Sequence, residues 1–509
     1  MPHHDCDVLV IGSGFGGGVA ALRAAESGRS VVVAEMGRRI SPDEMADGAR
    51  SARKLLWEPA LGLHGYFRQT ILRDVTVVGG VGVGGGSLVY AAVLLRPEAR
   101  ALTAPGWAAA GVDWDRELAA GYATAARMLG RQVTPELGVQ DEWLRRAAVD
   151  MGVGETFGPT PMGIDFSRCR RCGQCITGCP YGAKATTADT YLAAAERAGA
   201  RIRPECTVEI LVPLGDRGDE GWKVVVRETR GGQVSSIVAR EVVVAAGVLG
   251  TVRLLLACRD RWGTMPALSR HVGAHVRTNS EAFAAVLHPP GTDVTEGATI
   301  SSDFYPDSST HVTNNRFPRS YAFMRWYLSP AVGGADSRAR RRRTLAAMLR
   351  HPWRATANAR ARDWHRRLTV LTVMQHTDNE MTLRLRRRFG RWSLASQSAP
   401  GAPRIPAFLP QADAAGDAVA RAGAGQAYST LLESVLGMGA TAHILGGAVL
   451  GSDPGTAVVD DRQRVFGYRN LRVMDGSVVP ENIGVNPAWT ITALAERACA
   501  QWLGPGRGD

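Results

Sequence analysis

The chain has 509 residues, 45% hydrophobic and 21% charged, an ordinary globular balance in a length that one simple core does not accommodate, so two connected domains are expected. No stretch approaches the roughly 18 consecutive apolar residues of a membrane-spanning helix. Much of the formal charge of +12 comes from Arg338 to Arg367, a local feature that does not define a nucleic-acid-binding class, and none is expected as a partner. The opening MPHHDCDVLVIGSGFGG has too short an apolar run, and no charged region before it, for a signal peptide. The expectation is a soluble, cytoplasmic protein.

In chain order, DVLVIG reads as a strand, SGFGGG as a turn, VAALRAAESG as a helix and SVVVAE as a second strand, a βαβ unit. Gly12, Gly14 and Gly17 form GxGxxG in that turn, with Phe15 inside it. The first glycine permits the tight turn, the second a close approach to a pyrophosphate and the third helix-on-strand packing, while the helix N-terminus presents a positive dipole to phosphate. Glu35 ends the second strand, 18 residues past Gly17, where an acid accepts hydrogen bonds from a ribose and repels a 2′-phosphate. All parts of a dinucleotide site are therefore in register.

A second glycine cluster follows at 79–91, then a helical region holding Trp107 and Trp114, then four cysteines. From about Tyr191 the strands CTVEILVPL, KVVVRETR and EVVVAAGVLGTVRLLLA return to the style of the first unit, the last running into a helix. Residues 279–411 alternate polar and apolar, carry Phe304, Tyr305, Phe317, Tyr321, Phe323, Trp326 and Tyr327, and read as an antiparallel sheet covered by helices. The last segment runs from the strand and turn LRVMDGSVVP into a helix starting near Asn486-Pro487. The fold class is α/β: a Rossmann-like domain in three pieces (1–100, 190–278 and 424–505), a helical connection with the cysteines (101–189), and an α+β substrate domain on an antiparallel sheet (279–423).

Cys169, Cys172, Cys175 and Cys179 have the spacing C-x2-C-x2-C-x3-C with Pro180 after them, the ferredoxin run for an iron–sulfur cluster of [4Fe–4S] or [3Fe–4S] type. Arg168, Arg170, Arg171 and Lys184 would offset its negative charge. Structural zinc usually uses two separated pairs, and free thiols are the other alternative. Cys6, Cys206, Cys258 and Cys499 are scattered in apolar surroundings and read as inert, buried thiols.

The segments GGVGVGGGSLVY at 79–90, AAGVLGTVRLLL at 245–256, AHILGGAVLG at 442–451 and RVMDGSVVPENIGVNPAWTITALAERA at 472–498 together resemble the glucose-methanol-choline (GMC) flavoenzymes, most closely the bacterial cholesterol oxidase group. The resemblance implies FAD as cofactor. It implies that Gly84, Gly85 and Gly86 let backbone approach the flavin and pyrophosphate, that Val208 lies beside the adenine, and that Asp475, Gly476 and Pro487 belong to the cofactor site. Tyr90 departs from the Asn expected at its position. On residues alone, a histidine before a glycine turn and an Asn-Pro at a helix start have ordinary structural readings. The resemblance makes His443 the acid/base and Asn486 the group that positions the substrate oxygen.

Sterol oxidases also carry a Glu in the substrate domain; in the nearest segment, LTVLTVMQHTDNE, Gln375 and His376 stand where that carboxylate is expected. The glucose dehydrogenase branch of the family carries an iron–sulfur cluster on a similar cysteine run.

The expected activity is oxidation of a secondary alcohol on a bulky lipophilic molecule, a sterol, polycyclic or terpenoid alcohol, to a ketone. Electrons would go to an external acceptor through the cluster, or to O2 with formation of H2O2. A non-catalytic electron-transfer flavoprotein is the alternative of another class. Leu345, Met348, Leu349 and Trp353 fall near helical spacing in the Arg-rich segment 339–368, which is either a solvated basic helix or a peripheral contact with an anionic membrane.

Overall fold

A computed structural model of the chain describes residues 3–334, 336–388 and 390–504, with the side chains of residues 354 and 355 left aside. The strands Cys6–Ile11 and Val31–Ala34 pair in parallel, and the helix Phe15–Glu26 crosses between them. Both strands read as continuous Val/Leu/Ile runs because both faces of a parallel sheet are covered. The sheet continues to Arg201–Arg203 on one side and to Val234–Val244 on the other. Val234–Val244 is long enough to do three jobs. Its first half pairs antiparallel with Gly221–Glu228, and its last residues lie parallel to both Cys6–Ile11 and the late strand Leu471–Val473.

The C-terminal strand thus completes a sheet begun by the N-terminus. The packing there is backbone on backbone: a Cβ placed on Gly16 would fall 1.7 Å from the Met474 carbonyl oxygen. The last helix, Ala488–Leu503, packs on Phe15–Glu26, and Arg23 reaches across to Glu496 at 2.8 Å.

A second sheet has seven strands, all antiparallel: Leu328–Pro330, Gln426–Thr430, Ala282–Leu287, Leu368–Gln375, Thr310–Asn315, Ser302–Asp307 and Gly158–Pro159. Side chains alternate between its faces along each strand. Ala282, Ala284 and Val286 face a core under the helices Val139–Asp150 and Pro410–Ala422, while Ala285 and Leu287 face a second core with Phe317, Tyr321, Trp364 and Tyr428. The stretch 101–189 is therefore only partly a helical connection. Its helix Val139–Asp150 and strand Gly158–Pro159 are built into the antiparallel sheet's layer, and 164–190 is largely irregular.

The aromatics of 303–330 divide: Phe304 is sealed in the helix-side core, Phe317 and Tyr321 are buried on the other face, and Trp326 and Tyr327 are exposed. They do not form one apolar lining.

Candidate active site

The predicted dinucleotide residues converge at the carboxyl ends of the parallel strands, where an open α/β sheet binds ligands. Gly12 follows Cys6–Ile11, Glu35 follows Val31–Ala34 and Asp475 follows Leu471–Val473. Gly17 is obligatory, since a Cβ there would sit 2.1 Å from the Gly12 carbonyl oxygen. The second glycine cluster folds onto the first. Gly84 N donates to Ser13 Oγ at 2.9 Å, and Gly85, with φ +54°, lies against Gly14 so closely that a Cβ would be 2.8 Å from the Gly14 Cα. Around Gly14 and Gly86, by contrast, the Cβ positions open onto empty space, the cradle a pyrophosphate and flavin need.

Glu35 is buried and accepts from Ser13 N, Ser13 Oγ and Gly37 N, at 3.2, 2.7 and 2.9 Å. Burial pushes its carboxyl upward against these donors. Cys206 N donates to Glu35 O, which brings the strand carrying Val208 alongside. Asp475 is likewise raised by burial; it accepts from Thr251 Oγ1 at 2.5 Å and from Ser477, capping the turn Gly476–Val478. Pro487 is the N-cap of the last helix. Tyr90 is committed: its hydroxyl donates to Ala185 O at 2.6 Å and its ring meets Phe15 edge-on at 5.2 Å.

His443 and Asn486, 43 residues apart in sequence, are brought together: Asn486 Nδ2 lies 3.1 Å from His443 Nε2. The other ring nitrogen, Nδ1, is 2.5 Å from Glu281 Oε1. Glu281 is buried just before the strand Ala282–Leu287 and also accepts from Thr441 Oγ1 at 2.9 Å and Ala442 N at 3.0 Å. A carboxyl group already accepting from Thr441 Oγ1 and Ala442 N accepts from the ring as well, so Nδ1 carries the proton and Nε2 keeps its lone pair. Asn486 Nδ2 then donates to Nε2, and Asn486 Oδ1 is buried with no partner in the protein. Asn279 Nδ2 donates to Val485 O at 2.7 Å, fixing the loop that carries Asn486 to the substrate sheet.

Glu281 is the residue the sequence reading missed. Gln375 and His376, which the sequence reading put in its place, bond elsewhere: Gln375 Nε2 donates to Thr310 Oγ1 and His376 N to Ser309 O, and burial lowers the His376 pKa. A second buried carboxyl, Glu433, accepts from Phe283 N at 3.0 Å, and burial raises it to about 8. The signal available for Glu281 was a lone acid in NSEAF at the start of an otherwise apolar strand, a pattern that does not name its partner.

Cys169, Cys172, Cys175 and Cys179 are all free and line one cavity with Gly297 and Lys184. Among the described residues no three His, Cys, Asp or Glu side chains converge closely enough to hold one metal ion, so the set does not form a tetrahedral zinc site. Lys184 is buried; its Nζ donates to Leu88 O, Tyr90 O and Cys175 O at 2.8, 3.2 and 2.8 Å. Among the described residues it has no carboxylate within ion-pair distance.

A dinucleotide cradle opening beside a His/Asn pair, roofed by an antiparallel sheet, defines a two-domain flavin-dependent oxidoreductase of the kind that acts on alcohols. Residues 8–258 and 343–495 match the N- and C-terminal profiles of the GMC oxidoreductases, and the chain belongs to that family. It is 37% identical to a cholesterol oxidase of Mycobacterium tuberculosis over 99% of this chain and 92% of that one. A cholesterol oxidase of Acinetobacter baumannii is 34% identical over 97% of this chain and 94% of its own. A long-chain-alcohol oxidase of Arabidopsis thaliana is 25% identical over 96% of this chain and 66% of its own. Among solved structures, pyridoxine 4-oxidase from Mesorbium loti superposes with a TM-score of 0.64 over 98% of this chain and 99% of its own, at 18% identity, a likeness of fold.

Proposed function

We propose that the protein oxidises the secondary hydroxyl of a bulky apolar alcohol, of sterol, polycyclic or terpenoid type, to a ketone. The observation that carries this reading is the Glu281–His443–Asn486 arrangement, with a basic Nε2 beside a buried, half-satisfied amide. The likeness to two cholesterol oxidases points to the substrate class.

FAD, held by Gly14, Gly86, Glu35 and Asp475, supplies the acceptor for the hydride when bound. The substrate hydroxyl takes the place of the contact between Asn486 Nδ2 and His443 Nε2: Nε2 then takes the hydroxyl proton while Asn486 Nδ2 donates to the hydroxyl oxygen, which fixes the carbinol hydrogen for departure. Glu281 holds the ring in the Nδ1–H tautomer and stabilises the imidazolium that forms. Anaerobic mixing with hydroxysteroids, small sugars and choline tests the reading: bleaching of the flavin by hydroxysteroids alone is expected, and equal bleaching by sugars or choline overturns it.

The oxidase relatives favour O2 as electron acceptor, with H2O2 formed. One observation favours a second route, through an iron–sulfur cluster on the four cysteines. Lys184 is a buried cation beside that cavity, hydrogen-bonded only to carbonyls, and a thiolate-bound cluster is the anion it lacks. A cluster also spreads its ligand sulfurs farther apart than a single ion does. Iron and acid-labile sulfide assays on anaerobically purified protein decide between them: iron lost in Cys175→Ser supports the cluster, and iron-free protein making stoichiometric peroxide removes it.

A further inference from the structure

The helix Ser337–Arg350 buries only Arg340 and Thr344. Arg340 Nη2 donates to Ala407 O and Glu433 O, both at 2.8 Å, which anchors the helix. At 100° per residue the opposite side carries Arg338, Arg342, Leu345 and Leu349, with Arg341 on its flank. All five are exposed, Leu349 at 82% and Leu345 at 43%.

This stripe is not isolated. The next helix, Pro352–Arg360, packs against it and exposes Trp353 at 62%. The neighbouring segments Arg319–Tyr327 and Leu432–Leu436 expose Trp326 at 68% and Leu436 at 61%. Large apolar side chains from four adjoining segments thus stand in solvent next to exposed arginines. Leucines at the outermost points of a basic helix, with tryptophans exposed on the segments packed around it, form the kind of apolar patch that marks an interaction site. A nucleic acid would use the arginines and leave the leucines without a partner.

We propose that this face is a docking surface for an anionic lipid bilayer, with the arginines meeting headgroups and Leu345, Leu349, Trp353 and Trp326 entering the interface. The helix that carries this surface is tied by hydrogen bonds to elements of the catalytic centre. Leu432–Leu436 carries Glu433, bonded to the strand that begins beside Glu281, and it leads within seven residues to His443. If the substrate is the apolar alcohol proposed above, docking delivers it from the bilayer; the docking itself does not depend on that reading.

The test is flotation of the full-length holoprotein with vesicles of phosphatidylcholine and with vesicles in which about a third of the lipid is phosphatidylglycerol. Partition is expected on the anionic vesicles only and should fall with added salt. It should drop about a hundred-fold in the triple variant Arg338→Gln/Arg341→Gln/Arg342→Gln, each arginine near the surface contributing roughly a factor of five. Leu349→Ser with Trp353→Ser should weaken it at unchanged charge. Turnover of a cyclodextrin-solubilised hydroxysteroid by all variants should match wild type, which separates failure of docking from failure of the substrate assignment. No flotation, equal flotation on both vesicles, binding to an oligonucleotide instead, or burial of the stripe in a dimer that Leu349→Ser dissociates would each overturn the proposal.

Discussion

The dinucleotide cradle and the catalytic centre sit side by side, yet they are written into the chain in opposite ways. Gly12, Gly14, Gly17 and Glu35 lie within one βαβ unit; local backbone geometry demands glycine at 12, with φ +101°, and at 17, while Gly14 keeps its side open. His443 and Glu281 are 162 residues apart and meet only because two sheets pack together. A site made by backbone close approach tolerates no added atom; a site made by side-chain convergence tolerates isosteres but not a changed proton count.

The largest effect is expected at the catalytic centre. His443→Ala should slow anaerobic flavin reduction by about a hundred-fold or more, the usual contribution of a positioned acid/base, with the flavin still bound. A rate within twofold of wild type would remove His443 from that role. Glu281→Gln sharpens the comparison, because it keeps the shape and changes the hydrogen-bond sense. An amide N–H aimed at Nδ1 selects the Nε2–H tautomer and occupies the lone pair the substrate needs, so reduction should fall at least tenfold. A positioning role also requires the pH profile of reduction to shift; Glu281→Asp should restore part of the rate, and an unchanged profile would count against it.

At the cradle, Gly16→Ala should act on assembly and not on chemistry. Its Cβ would collide with the Met474 carbonyl, so lower thermal stability and loss of flavin on gel filtration are expected, while any flavin retained reduces at the normal rate. The smallest effect concerns Glu433, whose carboxyl is raised from 4.5 to about 8 in the folded protein by burial. Its protonated form is favoured by folding, so the stability it gives is fully present below pH 4.5 and is lost as pH rises toward 8. Glu433→Gln should therefore raise the thermal midpoint near pH 8 by about 2 °C or more and change little at acid pH. An equal shift at both pH values would refute the linkage.

The same contrast explains what was legible in the sequence. The Rossmann-type unit and the antiparallel sheet follow from period and glycine placement, which are properties of short windows. The family resemblance supplied His443 and Asn486, which the fold brings within hydrogen-bond distance. Glu281 was not legible because nothing within a few residues of it marks its partner; Gln375 and His376 lie at the end of the neighbouring strand of the same sheet. The aromatics of 303–330 could not be sorted between the two cores, because a strand's alternation says which side chains share a face but not what covers it. The four cysteines were legible as a set, and the fold lines one cavity with them.

The placement of Leu471–Val473 beside Val234–Val244, with Met474 closing on Gly16, has a consequence for biosynthesis. The first strand and its glycine turn leave the ribosome long before the wall that completes their ligand cradle. Until that wall has emerged, a nascent chain holds half a binding site, and the cradle is complete only once Leu471–Val473 has paired with Val234–Val244.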